Sequence, residues 1–335
     1  VTRAALALSL GDPAGIGPEI IAKAWQVLAG TGPAFMVVGD ADLLSRFGIP
    51  VQTVSHTAEA ATVFAKALPV LNQPLGHALT PGKASSAHAK AVIGWIEHAV
   101  DLVVSGQASG LVTAPIAKAP LYEAGFKFPG HTEFLADLTA HLPMTTPRGP
   151  VMMLTSGNLR AVLTTVHLPL AKVAQALTIE GIVHTARVTA AALTQDFAIE
   201  RPRLALAGLN PHAGESGTIG DEEIRILAPA AAQIRAEGID CTDPRPADTL
   251  FHDQARQTYD AVICLYHDQA LIPVKMLDFW GGVNVSLGLP IIRTSPDHGT
   301  GFDIAGKGIA RPDSLIAAIG RADQIAQNRA KAQKR

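Results

Sequence analysis

Short apolar runs alternate along the chain with longer stretches of helical period, and that alternation predicts an α/β protein with a largely parallel sheet. The runs Ala4–Ser9, Ala34–Val38, Gly110–Val112, Val151–Leu154, Ala161–Thr165, Leu204–Ala207, Ala261–Leu265 and Val283–Leu287 are rich in Val, Leu, Ile and Ala, as strands covered on both faces should be. Between Ser86 and Val104, residues Ala89, Ile93, Ile96, Val100 and Val103 recur at three- and four-residue spacing. That segment reads as a structural helix, with Glu97 and His98 off its apolar stripe. Further helices are expected over Thr178–Gln195 and Asp313–Gln333, the second with a basic end that suits the helix dipole. The terminal KAQKR reads as a solvated, fraying end, and the Thr145–Gly149 stretch TTPRG as a crossover between subdomains.

At 335 residues the chain exceeds the usual single-core size, so two domains, or one core with a large insertion, are expected. A hydrophobic content of 48% is ample for a packed interior. The formal net charge of -2, with no long basic run, argues against nucleic acid as the main partner and leaves a small anionic substrate open. Cys241 and Cys264 form no CxxC pair and no secreted disulfide pattern, which fits a reducing cytoplasm. No signal-peptide pattern and no long apolar run is present, so a cytoplasmic protein without a membrane span is expected.

His167, His212 and His267 lie in TTVHLPL, GLNPHAG and CLYHDQA, each following or interrupting an apolar run. Any one of them alone is more often a hydrogen-bonded loop residue than a ligand. Together, beside Gly, Pro or Asp, they suggest a metal site, because three imidazoles leave a position open for water or substrate. The turn from Ser9 to Glu19, SLGDPAGIGPE, joins a strand to a helix whose exposed amides favour an anion. Its spacing is not the Rossmann GxGxxG, Pro18 suits the first helical turn, and such a turn is also ordinary in this fold class. A late run from Ser295 to Gly308, SPDHGTGFDIAGKG, carries His298, Asp303 and Lys307 in a glycine-dense loop able to wrap a polar ligand. It resembles the adenosine-binding loop of the isocitrate and isopropylmalate dehydrogenases, which implies a nicotinamide cofactor. Gly11 and Asp12 of the early turn, with His298, Gly299, Asp303 and Gly306 of the late loop, are the expected cofactor-binding residues.

The motifs GDPAGIGPE, GHTEF, GLNPHAGE, PADTLF, YHDQ and GLPIIRTSPDHGT occur in this order from about Leu8 to Gly308. In that combination the chain resembles the PdxA family of 4-hydroxythreonine-4-phosphate dehydrogenases. The resemblance implies oxidation of the C3 hydroxyl of 4-phosphooxy-L-threonine by NAD or NADP, then loss of carbon dioxide to give 3-amino-2-oxopropyl phosphate. It implies that His167, His212 and His267 hold a divalent metal, zinc or cobalt by ligand softness, with magnesium also open. It also implies that His131, Thr132, Lys275, Asn284 and Arg293 bind the substrate. Thr132 alone would also suit a helix N-cap. Arg293 follows the apolar run LGLPII, where an unpaired guanidinium is costly, so an anionic partner is expected. Lys275 is the expected acid that reprotonates the enolate after decarboxylation. Asp268 and Asp248 are expected either to orient a ligand imidazole or to act as a base. Lys118 matches a lysine of the family and receives no role.

The implied fold is isocitrate/isopropylmalate-dehydrogenase-like, two α/β/α subdomains with a cleft between them. Residues 1–128 with 290–335 would form the large cofactor-side domain. Residues 129–289 would form the inserted smaller domain with the metal ligands and a dimer interface, the active site of the homodimer lying at that interface. Two other readings keep the same residues: a phospho-D-threonate or phospho-D-erythronate dehydrogenase of the same family, and a nicotinamide-independent zinc hydrolase. The hydrolase, like a non-catalytic metal-storage protein, gives no reason for the late glycine loop.

Overall fold

The structure, a computed structural model, describes residues 4–332. Among them lie twelve strands: β1 Leu6–Ser9, β2 Phe35–Gly39, β3 Val51–Thr53, β4 Leu68–Asn72, β5 Leu111–Thr113, β6 Val151–Ser156, β7 Leu159–Leu163, β8 Arg203–Ala207, β9 Asp240–Arg245, β10 Ala261–Cys264, β11 Val283–Leu287 and β12 Arg293–Pro296. The chain divides into two compact units, one from residues up to Leu142 together with Ile291–Gln327, the other from Pro143–Pro290 and residues from Asn328 onward. This cut places the helix His131–Leu138 in the first unit, whereas the sequence expectation began the inserted domain at residue 129.

In the first unit the strand order is β3-β4-β2-β1-β5-β12, with every neighbour parallel. β1, β2 and β5 are buried along their whole length, so both faces are covered. Edge-on packing of Phe35 on Phe64, 5.0 Å between ring centroids, anchors one end of this core. The indole N–H groups of Trp25 and Trp95 donate to the carbonyls of Phe64 and Gln73. The helix read from Ser86 to Val104 forms as Ala89–Val104 after one tight turn, Ser86–His88. Its buried face is centred on Val92, Trp95, Ile96 and Ala99 rather than on Ile93 and Val103, because Trp95 has the most apolar area to hide.

In the second unit the order is β11-β6-β7-β10-β8-β9. Its parallel half, β7-β10-β8-β9, fits expectation, but β6 runs antiparallel to both β7 and β11. The reason is local. Gly157 and Asn158 make a two-residue hairpin loop between β6 and β7, with Gly157 at φ 54°, which reverses the chain without a crossover helix. Leu154, Leu163, Ala205, Val262, Ala270 and Val274 belong to one buried cluster beneath this sheet. Cys264 is buried in β10, and Cys241 is buried in β9 rather than in an open connection; burial pushes both thiols up, Cys241 to about 12.

All eight apolar runs form strands, and the helices expected at 178–195 and 313–333 appear as Ile179–Gln195 and Asp313–Ala332. Gln333 and the rest of the KAQKR end lie outside the described residues. Four strands were not foreseen. β12, RTSP, and β9, DCTDPR, are built of polar residues, and β3 and β4 are short or carry Pro69. No helix among the described residues is long and apolar enough to cross a membrane.

The end of β1 depends on a residue without a side chain. Gly11 has φ 77°, and a Cβ there would meet the Pro115 carbonyl oxygen at 2.6 Å. Gly11→Ala should therefore lower unfolding stability by about 1–3 kcal/mol or more, measured by chemical denaturation; a change inside a few tenths of a kcal/mol would show that the turn relaxes freely.

Candidate functional site

In the second unit the three predicted ligand histidines all follow parallel strands that are neighbours: His167 after β7, His267 after β10 and His212 after β8. The β7–β10 ladder continues past its strands, with the Thr164 amide donating to Cys264 O at 2.8 Å and the Thr165 hydroxyl donating to Leu265 O at 2.6 Å. That extension carries His167 and His267 forward together, and their ring centroids lie 5.9 Å apart. Val166, His167, Leu170, Tyr266, His267 and Asp268 line a cavity of about 250 Å³ there. Asp268 sits 2.7 Å from His267 Nδ1. With Nδ1 as donor, Nε2 keeps its lone pair for a ligand, so Asp268 is placed to orient the imidazole. Asp248 is exposed in the short turn Ala247–Thr249.

His212 does not join them: among the described residues no three His, Cys, Asp or Glu side chains of the chain converge as a metal site. Its loop is unusual. From His212 to Gly217 six consecutive residues have positive φ, four of them not glycine. A left-handed path costs an L-residue about 1–2 kcal/mol, so the turn persists only if its surroundings hold it. The base of the loop is tied to the His267 turn through Gln269, a buried side chain that accepts from the Leu265 amide at 2.7 Å and donates to Gly208 O at 2.8 Å. Lys275 lies eight residues along the helix His267–Leu277, about 12 Å of rise from His267, with its ammonium 5.3 Å from the centre of the Phe279 ring. Asn284 is on β11, and its buried Oδ1 accepts no hydrogen bond.

The first unit gathers the anion-binding candidates. Arg293, at the start of β12, is almost wholly buried, and its Nε and one terminal nitrogen donate to Thr113 Oγ1 at 3.2 and 2.8 Å. Burial pushes the guanidinium down to about 10. His131 opens the helix His131–Leu138, with Gly130 in the N-cap position, so Thr132 is the second residue of the helix and not its cap. The His131 Nε2 is enclosed and has no hydrogen-bond partner. Burial first, then the charges of Arg293 and Lys118, hold this imidazole well below its ordinary range. Lys118 reaches the same place, its Nζ 3.8 Å from where a Cβ on Gly130 would be. Two cations beside a ring whose charged form burial disfavours suit a phosphate or carboxylate, with the Glu133 carboxylate as the charged group already nearby.

The early turn and the late glycine loop meet. The Ile16 amide donates to Thr300 O at 2.8 Å, and a Cβ on Gly15 would stand 2.7 Å from that oxygen. Pro18 falls in the first turn of the helix Gly17–Leu28, as expected. Buried Glu19 accepts from the Ala310 amide at 2.8 Å and from Lys23 at 2.7 Å, and Lys23 also donates to Gly308 O and Ala310 O. Among the expected cofactor residues, His298 is half-buried, while Gly299, Asp303 and Gly306 are exposed on this loop. Gly11 and Asp12 shape the turn beneath it. Asp12 is buried, accepts from the Ala14 amide at 2.9 Å, and has its carboxyl raised by burial.

A sequence profile of the family described as Pyridoxal phosphate biosynthetic protein PdxA matches residues 32–322. The chain belongs to the PdxA family. It is 62% identical over 331 residues to the 4-hydroxythreonine-4-phosphate dehydrogenase of Caulobacter vibrioides, covering 98% of this chain and 99% of that protein. Identity to the protein of the same name in Maricaulis maris is 56%, over 97% of this chain and 98% of the relative. The crystal structure of 4-hydroxythreonine-4-phosphate dehydrogenase from Klebsiella pneumoniae superposes with a TM-score of 0.86 at 39% identity, covering 98% of this chain and 99% of that one. Within this PdxA chain, sequence reasoning missed Thr113, which accepts from Arg293, and Gln269 and Glu223, which hydrogen-bond the chain around the His267 and His212 turns and not the histidines themselves. Lys118 was visible, but its proximity to His131 was not.

His131 makes stability depend on pH with a definite sign. Its pKa in the folded protein lies below the ordinary 6.5, so the unfolded chain binds the extra proton, and this contribution is present above about pH 6.5 and lost as pH falls. The stability difference between the wild type and His131→Gln should narrow from pH 7 to pH 5, at up to about 1.4 kcal/mol per pH unit. A difference that stays constant over that interval would place the His131 pKa at its ordinary value.

Proposed function

We propose that this chain oxidises 4-hydroxythreonine 4-phosphate with NAD or NADP, in a metal-dependent reaction that feeds pyridoxal phosphate biosynthesis. The observation that carries the reading is near-full-length 62% identity to a dehydrogenase of that name, and the pairing of His167 with His267 supports its metal dependence. The donor set fits a divalent ion: two imidazoles face one cavity, one of them oriented by a carboxylate, and imidazole suits zinc or cobalt better than magnesium. His167, His267 and His212 would hold the ion, the last contributed by a second copy of the chain.

In the reaction the C3 hydroxyl loses its proton to a base and C3 itself loses its hydride to the nicotinamide, which leaves a ketone. The resulting β-keto acid then releases carbon dioxide, and the enolate left behind takes up a proton. A divalent cation supplies the charge that acidifies the hydroxyl and polarises the ketone. Arg293, His131, Thr132 and Lys118 grip an anionic end of the substrate, and Asn284 offers a buried amide oxygen to a donor on it. Asp268 keeps His267 in one tautomer. Lys275 is the acid proposed for the enolate. The late loop, with His298, Gly299, Asp303 and Gly306, is the proposed seat of the nicotinamide dinucleotide, fixed by Glu19 and Lys23 through the carbonyls and amide at 308–310.

A homodimer is part of this reading. His167 is exposed, and the side chains around it and along the following helix include exposed Leu168, Leu170, Ile272, Met276, Phe279 and Trp280, with Met276 at 74%. Exposed apolar side chains in this number support an association surface. Replacing both Ile272 and Met276 by Glu should give a folded monomer with little or no turnover, read by light scattering beside the dehydrogenase assay; a fully active monomer would remove the second copy from the site.

The test of the activity is reduced-nicotinamide formation by purified, metal-loaded protein offered 4-phosphooxy-L-threonine and 4-phospho-D-erythronate in parallel, with a chelated control. The amino substrate should be strongly preferred and the signal lost on chelation. Preference for the erythronate would move the enzyme to sugar-acid oxidation, and silence with both would favour the hydrolase reading.

A further inference from the structure

The loop that carries His212 has to be held against its own conformational preference, and one side chain does most of the holding. Glu223 is 5% exposed. Its Oε1 accepts from the Leu209 amide at 2.8 Å and the Asn210 amide at 2.7 Å, while its Oε2 accepts from Asn210 Nδ2 at 2.8 Å. The same Oε2 lies 2.7 Å from where a Cβ on Gly214 would be, so the middle of the left-handed turn rests on the carboxylate that fixes its entry. Asn210, gripped by Glu223 and also by Glu222 at 2.7 Å, is packed closely by the Gly220 backbone, which closes the far side of the loop. His212 sits two residues beyond the clamped amides, at φ 52°, and its exposed imidazole makes none of these contacts. The direction of its Cα–Cβ bond is therefore set by backbone geometry, which Glu223 holds at the entry and the middle of the turn.

We propose that Glu223 is a positioning residue for His212. By locking the left-handed turn it aims the imidazole, and so governs divalent-metal affinity without touching the metal. The inference rests on the reading that His212 is a metal ligand. Residues that orient ligands from behind typically carry a 10–100-fold share of metal affinity, and a preformed turn spares the binding step the cost of ordering the loop.

The experiment is a titration of the full-length chain, stripped of metal, with Co(II), following its ligand-field absorption. Glu223→Gln keeps the size of the side chain but gives up one acceptor, so the Asn210 side chain and Gly214 lose their common anchor. Co(II) affinity should fall 10–100-fold, with Glu222→Gln, which removes a single contact, changing it less than threefold. In a His212→Ala background the Glu223→Gln change should add little, because the two act through one ligand. Equal weakening in both backgrounds would mean general loosening and would overturn the proposal, as would wild-type affinity in Glu223→Gln. If Glu223→Gln does not fold, Gly214→Ala, which crowds the same carboxylate, is read instead, and unchanged affinity there is equally fatal. Wild type and His212→Ala binding Co(II) alike would instead sink the ligand assignment itself.

Discussion

Covering a parallel strand on both faces leaves no room along it for an ionisable side chain, and the chemistry of this protein is arranged around that restriction. In each unit several candidate groups stand where strands end: Asp12 after β1, Lys118 after β5 and His298 after β12, then His167, His267 and His212 after β7, β10 and β8. Parallel strands deliver their carboxyl ends to the same edge of the sheet, so residues distant in sequence become neighbours without any long-range contact of their own. Buried β12, with its Arg-Thr-Ser sequence, shows what polarity inside a sheet requires. Arg293 is received by Thr113 of adjacent β5, and the Thr294 hydroxyl donates to Ala318 O at 2.8 Å.

The restriction also explains what could be read from sequence. Eight apolar runs gave eight strands because burial of both faces writes an uninterrupted hydrophobic signature. β9 and β12 were missed because hydrogen-bonded polar strands do not carry it, and the β6–β7 hairpin was missed because a Gly-Asn pair between two apolar runs was not weighed as a turn. Histidines at strand ends were legible as a group. Their separation into a close pair and a third residue in a left-handed turn was not, since neither ring distance nor backbone handedness has a signature in residue spacing. Glu223 and Gln269 were invisible for the same reason: their work is to satisfy backbone amides and carbonyls across a loop, which any acidic or amide residue at many positions could do.

The candidate groups of the two units, each taken by itself, differ in what their geometry can contribute. Around Arg293 the protein keeps a cation that burial disfavours and the Glu133 carboxylate favours, and it leaves the enclosed Nε2 of His131 without a partner. Under the proposed function an anion of fixed charge would sit against these groups with the same interaction before and during reaction, a contribution to binding and orientation. Under the proposed function the His167–His267 cavity would face the opposite demand. Charge at a reacting hydroxyl changes as it is oxidised, so donors held in advance at that point lower the barrier itself. Rigidity matters more there than affinity, and the sequence has placed its strongest local restraints accordingly: an extended strand ladder under His167 and His267, a buried glutamine joining two strand ends, and a buried carboxylate beneath the strained turn that presents His212.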